Sequence, residues 1–180
     1  MSPGEKFVPE FAVHMPKLIG PDACVVPLPR NLLKKLKDEG NSKLSSGQFV
    51  SSDDMASATV WKALCQLRCR QLGFDHTSDL TTTLMRAVDV RHRTNPPLGP
   101  GYCGNGAIQI WTEMRVCDLL SMSVLEVALK LRNSLQAQTP EYLAAFAKWM
   151  ASKQAEGFRT KYGFDANALT FILSSWSSFD

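Results

Sequence analysis

Residues 88–106 read Val-Asp-Val-Arg-His-Arg-Thr-Asn-Pro-Pro-Leu-Gly-Pro-Gly-Tyr-Cys-Gly-Asn-Gly. An extended run with Asp89, Arg91 and Arg93 in alternation breaks at Pro96-Pro97, because proline has no N–H to give a strand ladder. A glycine-dense loop follows, and a second extended run starts at Ala107. Upstream, Thr81 to Val90 is rich in β-branched residues, and Ala107 to Val116 matches it downstream. The stretch therefore predicts two strands joined by a long, glycine-dense loop.

Helices flank these strands. Arg30 to Lys37 threads Leu32, Leu33 and Leu36 through a basic cluster, which gives an apolar stripe and a solvated cationic face. Gly40-Asn41 is expected to stop that helix, and 41–48 is a polar loop. Ser51-Ser52-Asp53-Asp54 is the strongest helix start in the chain. Ser51 can accept from the Asp54 N–H, Asp54 can reach back, and both carboxylates suit the positive end of a helix. Met55, Ala58, Trp61, Cys65 and Leu72 then recur at helical spacing until Gly73. Ser123 to Leu135 and Pro140 to Lys153 are two further helices, the second with Thr139 as cap. Cys24-Val25-Val26 is a short strand candidate, and Leu169 to Trp176 reads as a final strand. Interleaving of this kind predicts an α/β (α+β layered) domain, a mixed sheet with helices packed on it.

Residues 1–22 hold Pro3, Pro9, Pro16 and Pro21 without a clear period and read as an extended lead-in to a domain over 23–180. A chain of 180 residues buries roughly two-thirds of its unfolded surface. Net charge of +3 is too small and too scattered for a nucleic-acid partner. No run approaches the roughly 18 apolar residues of a membrane span, and Met1 to Lys17 carries no signal-peptide core. The five cysteines (Cys24, Cys65, Cys69, Cys103, Cys117) are odd in number and irregular in spacing, so reduced thiols in the cytoplasm are expected.

Several motifs invite chemistry and are better explained without it. Gly99 to Gly104 spells GxGxxG, but a β-rich run follows where a nucleotide-binding helix is needed, and Pro100 removes an N–H donor. His76 and Asp79 are three residues apart in a polar turn, and His14 and His92 lack a nearby partner. Cys65 and Cys69 lie one helical turn apart; without a second pair they are buried small side chains rather than metal ligands. Met114, Met122 and Met150 are gap-fillers on amphipathic elements. Ser174-Ser175-Trp176-Ser177-Ser178 is either a cleft-lining strand, its indole N–H seeking an acceptor, or an ordinary sheet edge.

Four segments together resemble one family. Val88 to Gly106 is similar to the "VDxRxR…PPLxxGYxGN" segment of the BAHD and fungal trichothecene-type acyl-CoA-dependent acyltransferases. Phe49 to Trp61 resembles their "STNDALTAxxW" helix start, Val25 to Leu36 the segment opening their second domain, and Ser174-Ser175-Trp176 their "SSW" strand. The order and spacing agree over residues 24–178. The resemblance implies a chloramphenicol-acetyltransferase-like half-domain, the part of a two-domain enzyme that holds much of the CoA. It implies acyl-CoA as a co-substrate rather than a tightly bound cofactor, and a hydroxyl or amine of a small metabolite as acceptor. By the same match Lys43, Ser51 and Ser52 are expected to contact CoA, a cation and a helix N-terminus suiting phosphate. Ser175 and Trp176 would line the substrate channel, while Asp89, Arg91, Arg93 and Asn105 would be structural. The family's HxxxD motif, whose histidine is the general base, is not in these 180 residues, and neither is the DFGWG expected shortly after Trp176. A missing base alone costs about 10²–10⁴ in rate. The expected partners are therefore acyl-CoA, an acceptor, and a complementing domain or a second copy at an open sheet edge. A non-catalytic CoA- or partner-binding remnant is the competing reading, and an unrelated α/β domain is the third.

Overall fold

The computed structural model describes residues 26–99, 101–157 and 169–175. Its elements are α1 (Arg30–Asn41), α2 (Ser52–Leu72), β1 (Thr81–Asp89), β2 (Ala107–Arg115), α3 (Val116–Ser121), α4 (Val124–Gln136), α5 (Pro140–Ala155) and β3 (Leu169–Ser174). The three strands form one sheet in the order β2-β1-β3. β1 runs antiparallel to β2, with Thr81 opposite Arg115 and Asp89 opposite Ala107. It runs parallel to β3, with Thr82 opposite Leu169 and Ala87 opposite Ser174. The mixed sheet is as the sequence predicts, and the strand carrying Asp89 shares it with the terminal strand.

Strand alternation decides which face is buried. Register places Thr82, Leu84 and Arg86 of β1 on one face with Ile110, Thr112 and Met114 of β2 and Leu169, Phe171 and Leu173 of β3. Helix α2 lays Met55, Ala58, Trp61, Cys65 and Cys69 into the core that this face builds, and α4 adds Val127, Ala128 and Leu131. Leu72, expected on this stripe, is exposed, because the last turn of α2 outruns the core. Trp61 is fully buried, and its indole N–H donates to Thr82 Oγ1 at 3.1 Å. The Thr82 hydroxyl in turn donates to the Leu169 carbonyl at 2.8 Å. One hydrogen-bonded chain thus ties the helix to both parallel strands.

The start and stop of α2 follow its sequence. Ser51 Oγ accepts from the Asp54 N–H at 3.2 Å, and Asp54 Oδ2 accepts from the Ser51 N–H at 2.9 Å, a closed capping box. Gly73, at φ 73°, ends it in the left-handed region. Helix α4 repeats the box with Ser123 and Glu126, and Thr139 caps α5 ahead of Pro140.

Other expectations need correction. Gly40 does not stop α1, which runs on to Asn41 with Ser42 in right-handed geometry at its end. Gly40 is instead a contact point: a Cβ there would stand 2.9 Å from Leu125 Cδ1. The loop that follows closes on Asn41, whose amide donates to the Val50 carbonyl at 3.0 Å and accepts the Val50 N–H at 2.8 Å. Helix α3 was not expected at all. Its two core plugs, Val116 and Leu119, are fully buried, and the Lys62 ammonium donates to the carbonyls of Leu119, Leu120 and Met122 at its end. A cation at a helix C-terminus is favourable, and this one comes from a distant element that no local pattern reports. The lead-in 1–22 and most of the Cys24–Val26 strand candidate lie outside the described residues.

Candidate functional site

The carboxyl ends of the parallel strands β1 and β3 meet the first two turns of α2. Between them lies a cleft of about 180 Å³ lined by Asp53, Ser57, Arg86, Ser174 and Ser175, with Ala56, Val60, Ala87, Val88 and Leu173 as apolar walls. Clefts beyond strand carboxyl ends are the usual ligand positions of layered α/β sheets. Ser175 is the expected channel residue that falls in this cleft. Trp176 lies outside the described residues.

A buried charge cluster forms the floor. Arg86, 4% exposed, holds Asp54 Oδ1 at 3.0 Å through one guanidinium nitrogen and donates to the Leu131 carbonyl through another. Arg132 of α4 takes the other Asp54 oxygen, and its guanidinium lies 4.6 Å from the centre of the Phe49 ring. Asp53 stands 3.9 Å from Arg86 at the cleft's edge, about half exposed. Burial pushes the Asp54 carboxyl up, but the Ser51 N–H and hydroxyl, Arg132 and Arg86 together hold it below its ordinary value. The Nε groups of Arg86 and Arg132 have no hydrogen-bond partner among the described residues. Such a cluster specifies an arrangement more than it adds stability, since desolvation offsets most of the Coulomb gain.

Of the expected coenzyme contacts, Ser51 and Ser52 sit at the start of α2 and Lys43 follows α1. Ser51 is committed to the capping box, where its hydroxyl also donates to Asp54 at 2.7 Å. Ser52 is the first residue of α2 and half-buried. Lys43 is exposed on the turn after α1, its backbone N–H bonded to the Gly40 carbonyl. Asp53 and Asp54 put two carboxylates in the first turn of α2, so its N-terminus alone is a poor anion site, and a cation such as Lys43 is needed beside it.

The loop from 90 to 106 is braced from within. Asp89 takes the Arg91 guanidinium through two nitrogens, at 2.7 and 3.0 Å, and also accepts its backbone N–H at 2.9 Å. The Arg91 hydrogen bonds pull the Asp89 carboxyl down to about 2. Asn105 Oδ1 accepts the Ala107 N–H at 3.1 Å and opens β2. Arg93 is anchored by its backbone N–H on the Val90 carbonyl. Gly106 lets the Arg91 side chain lie across it, for a Cβ there would fall 2.5 Å from Arg91 Cγ. Gly106→Ala is therefore expected to displace Arg91. The Asp89 carboxyl should then rise from about 2 towards the ordinary value near 3.9, measurable by NMR titration; an unmoved Asp89 would show that the pair survives the added methyl.

Asp79 pairs with Arg115 at 3.1 Å and His76 with its neighbour Asp75 at 2.9 Å, so His76 and Asp79 are not brought together. Cys65 and Cys69 are buried, and burial pushes the Cys65 thiol up to about 11, which keeps it protonated. A larger open groove of about 440 Å³ at the far end of α2, around Phe74 and His76, shares no residue with the cleft. Arg86, Arg132 and Ser57 were not anticipated. The signal for Arg86 was present: it follows Thr82 and Leu84 at every second position, so a cation was due on the inward face.

A family model described as "Transferase family" matches residues 22–180. The chain belongs to this transferase family. Its members include the BAHD and TRI101-like acyltransferases. Among curated relatives, shikimate O-hydroxycinnamoyltransferase of Nicotiana tabacum is 33% identical over 144 residues, 79% of this chain and 29% of that protein. Trichothecene 3-O-acetyltransferase TRI101 of Fusarium sporotrichioides is 28% identical over 153 residues, 81% of this chain and 31% of that protein. The solved structure of F. sporotrichioides TRI101 complexed with coenzyme A and T-2 overlays with a TM-score of 0.63 at 23% identity, covering 82% of this chain and 33% of that one. Vinorine synthase overlays at 0.55 with 17% identity. The transferase fold is thus present, and the chain spans about a third of the length of the relatives it matches.

Proposed function

We propose that the chain is the coenzyme-facing part of an acyltransferase that moves an acyl group from acyl-CoA to a hydroxyl or amine of a small metabolite in the cytoplasm. Transferase-family membership across residues 22–180 carries this reading. The cleft supports it. Small side chains (Ala56, Ser57, Ala87, Ser174) leave room for a narrow arm, and Ser57, Ser174 and Ser175 give its lining a polar character. Lys43 and Ser52 meet the coenzyme phosphates outside the cleft, and Ser51 serves by holding the helix start. Substrate contact by Trp176 is part of the same proposal. The Asp89–Arg91 pair, Arg93 and Asn105 keep the neighbouring loop in place. The domain over 23–180 supplies no HxxxD histidine, so these 180 residues bind acyl-CoA without turning it over, and a complementing domain, or a second copy at the open sheet edge, completes the site. The same missing motif favours a second reading, a non-catalytic remnant that keeps the coenzyme surface.

Calorimetric titration with CoA and a thiol-release assay with acetyl-CoA test the reading. The expected result is saturable CoA binding with no thiol release above background. Lys43→Ala should weaken that binding about three- to tenfold, with the loss shrinking at high salt as screening removes the exposed contact. Absence of CoA binding overturns the reading, and turnover by the chain alone overturns its division of labour. Recovery of activity when an HxxxD-containing domain is added separates the enzyme from the remnant.

A further inference from the structure

Helix α5 stands largely outside the core: only Leu143 is buried, at 6% exposure. Tyr142, Phe146 and Trp149 follow at one-turn and two-turn spacing along one face, 49%, 36% and 54% exposed. Their rings stack in sequence, with centroids 6.3 and 6.0 Å apart. A soluble chain rarely leaves three adjacent aromatic rings in water without a use for them.

We propose that this ladder is self-complementary, and that two copies of the chain pair through α5 with their helices antiparallel. The charges select that partner and direction. Glu141 lies in the first turn and Lys148 two turns later on the same flank of the ladder. A two-fold axis near residue 145 sets Tyr142 of one copy against Trp149 of the other and Phe146 near its own mate. It also sets Glu141 of each copy opposite Lys148 of the other, twice by symmetry. The opposed helix dipoles favour the same arrangement. A parallel pairing would set this flank against the opposite flank of the other copy, so the Glu141–Lys148 pairs would not form.

The area fixes how tight the pairing is. Three aromatic side chains of 150–250 Å², each a third to a half exposed, give on the order of 300 Å² per copy. That is well under the roughly 800 Å² per partner of a stable complex, so the dimer is weak and reversible. The pairing uses a helix face rather than a strand edge, and it stands whether or not the chain takes part in acyl transfer.

Sedimentation velocity of the full chain over a series from about 10 µM to about 1 mM spans the affinities such an interface allows. The expected result is a monomer that becomes a dimer within that series. Phe146→Lys and Trp149→Lys should each abolish the dimer while circular dichroism stays unchanged, since both positions are exposed. Glu141→Lys should weaken it roughly 3- to 30-fold, and adding Lys148→Glu should restore it, which a merely sticky surface would not do. A monomer throughout overturns the proposal. So does a dimer that persists in both lysine variants, as edge-to-edge strand pairing would give, or ladder-dependent binding of a monomer to phosphatidylserine vesicles.

Discussion

Asp54→Asn is expected to lower the stability of the chain by about 3–5 kcal/mol, because it leaves two buried guanidinium groups without their counter-charge. Arg86 and Arg132 are 4% and 8% exposed and both close on this one carboxylate. Against a total of roughly 5–15 kcal/mol for a domain, that loss would leave a large fraction unfolded near 37 °C. Asp53→Asn is the matched control: its carboxylate is half exposed and 3.9 Å from Arg86, so about 1 kcal/mol or less is at stake. Urea midpoints of the two variants measure the difference, and near-equal midpoints would refute the cluster's role. The pH dependence follows from the lowered Asp54 value. A carboxyl depressed in the folded state contributes its stability in full above the unfolded-chain value near 3.9, and the contribution is lost as pH falls through the depressed value. Asp54→Asn should therefore flatten the acid limb of the stability profile below about pH 4.

Trp61→Ala is the second large effect, about 3–5 kcal/mol, from a fully buried indole replaced by a methyl. The cavity is only part of the cost. Thr82 Oγ1 loses the N–H that it accepts while still donating to Leu169, so a buried oxygen is left half satisfied. Trp61→Phe separates the two terms: it keeps most of the volume and should cost about 1–3 kcal/mol through the lost hydrogen bond and misfit. Urea unfolding and hydrogen exchange across β1 and β3 read both. Protection loss confined to α2 would show that the indole does not link the strands.

How far the sequence reaches can be judged from these same residues. The helix start at Ser51 was legible because a capping box is local chemistry, complete within four residues. The strands either side of Pro96-Pro97 were legible because alternation and breakers are local too. Asp54 was readable only in its local role. Its second role needs Arg86 and Arg132, which lie 32 and 78 residues away, and no periodicity reports on so distant a partner. Gly40 misled for the same reason: glycine is ambiguous between a helix stop and a close approach, and only the tertiary neighbour Leu125 decides. Helix α3 is too short to show a period, and Lys62 pins it from another element. The cleft is of this non-local kind as well. Its hydroxyls at Ser57, Ser174 and Ser175 come from two segments that meet only when the sheet is assembled.

The parallel pairing of β1 with β3 also sets when the molecule can assemble. The Thr82 hydroxyl reaches a carbonyl 87 positions further along the polypeptide. A nascent chain leaving the ribosome can form the β1–β2 pair and dock α2 on α4, yet the third strand is still to be synthesised. Until it arrives the β1 edge is bare, and the intermediate carries an open template for pairing with neighbours. High contact order of this sort slows folding, so yield on expression should fall with synthesis rate and temperature before native stability becomes limiting.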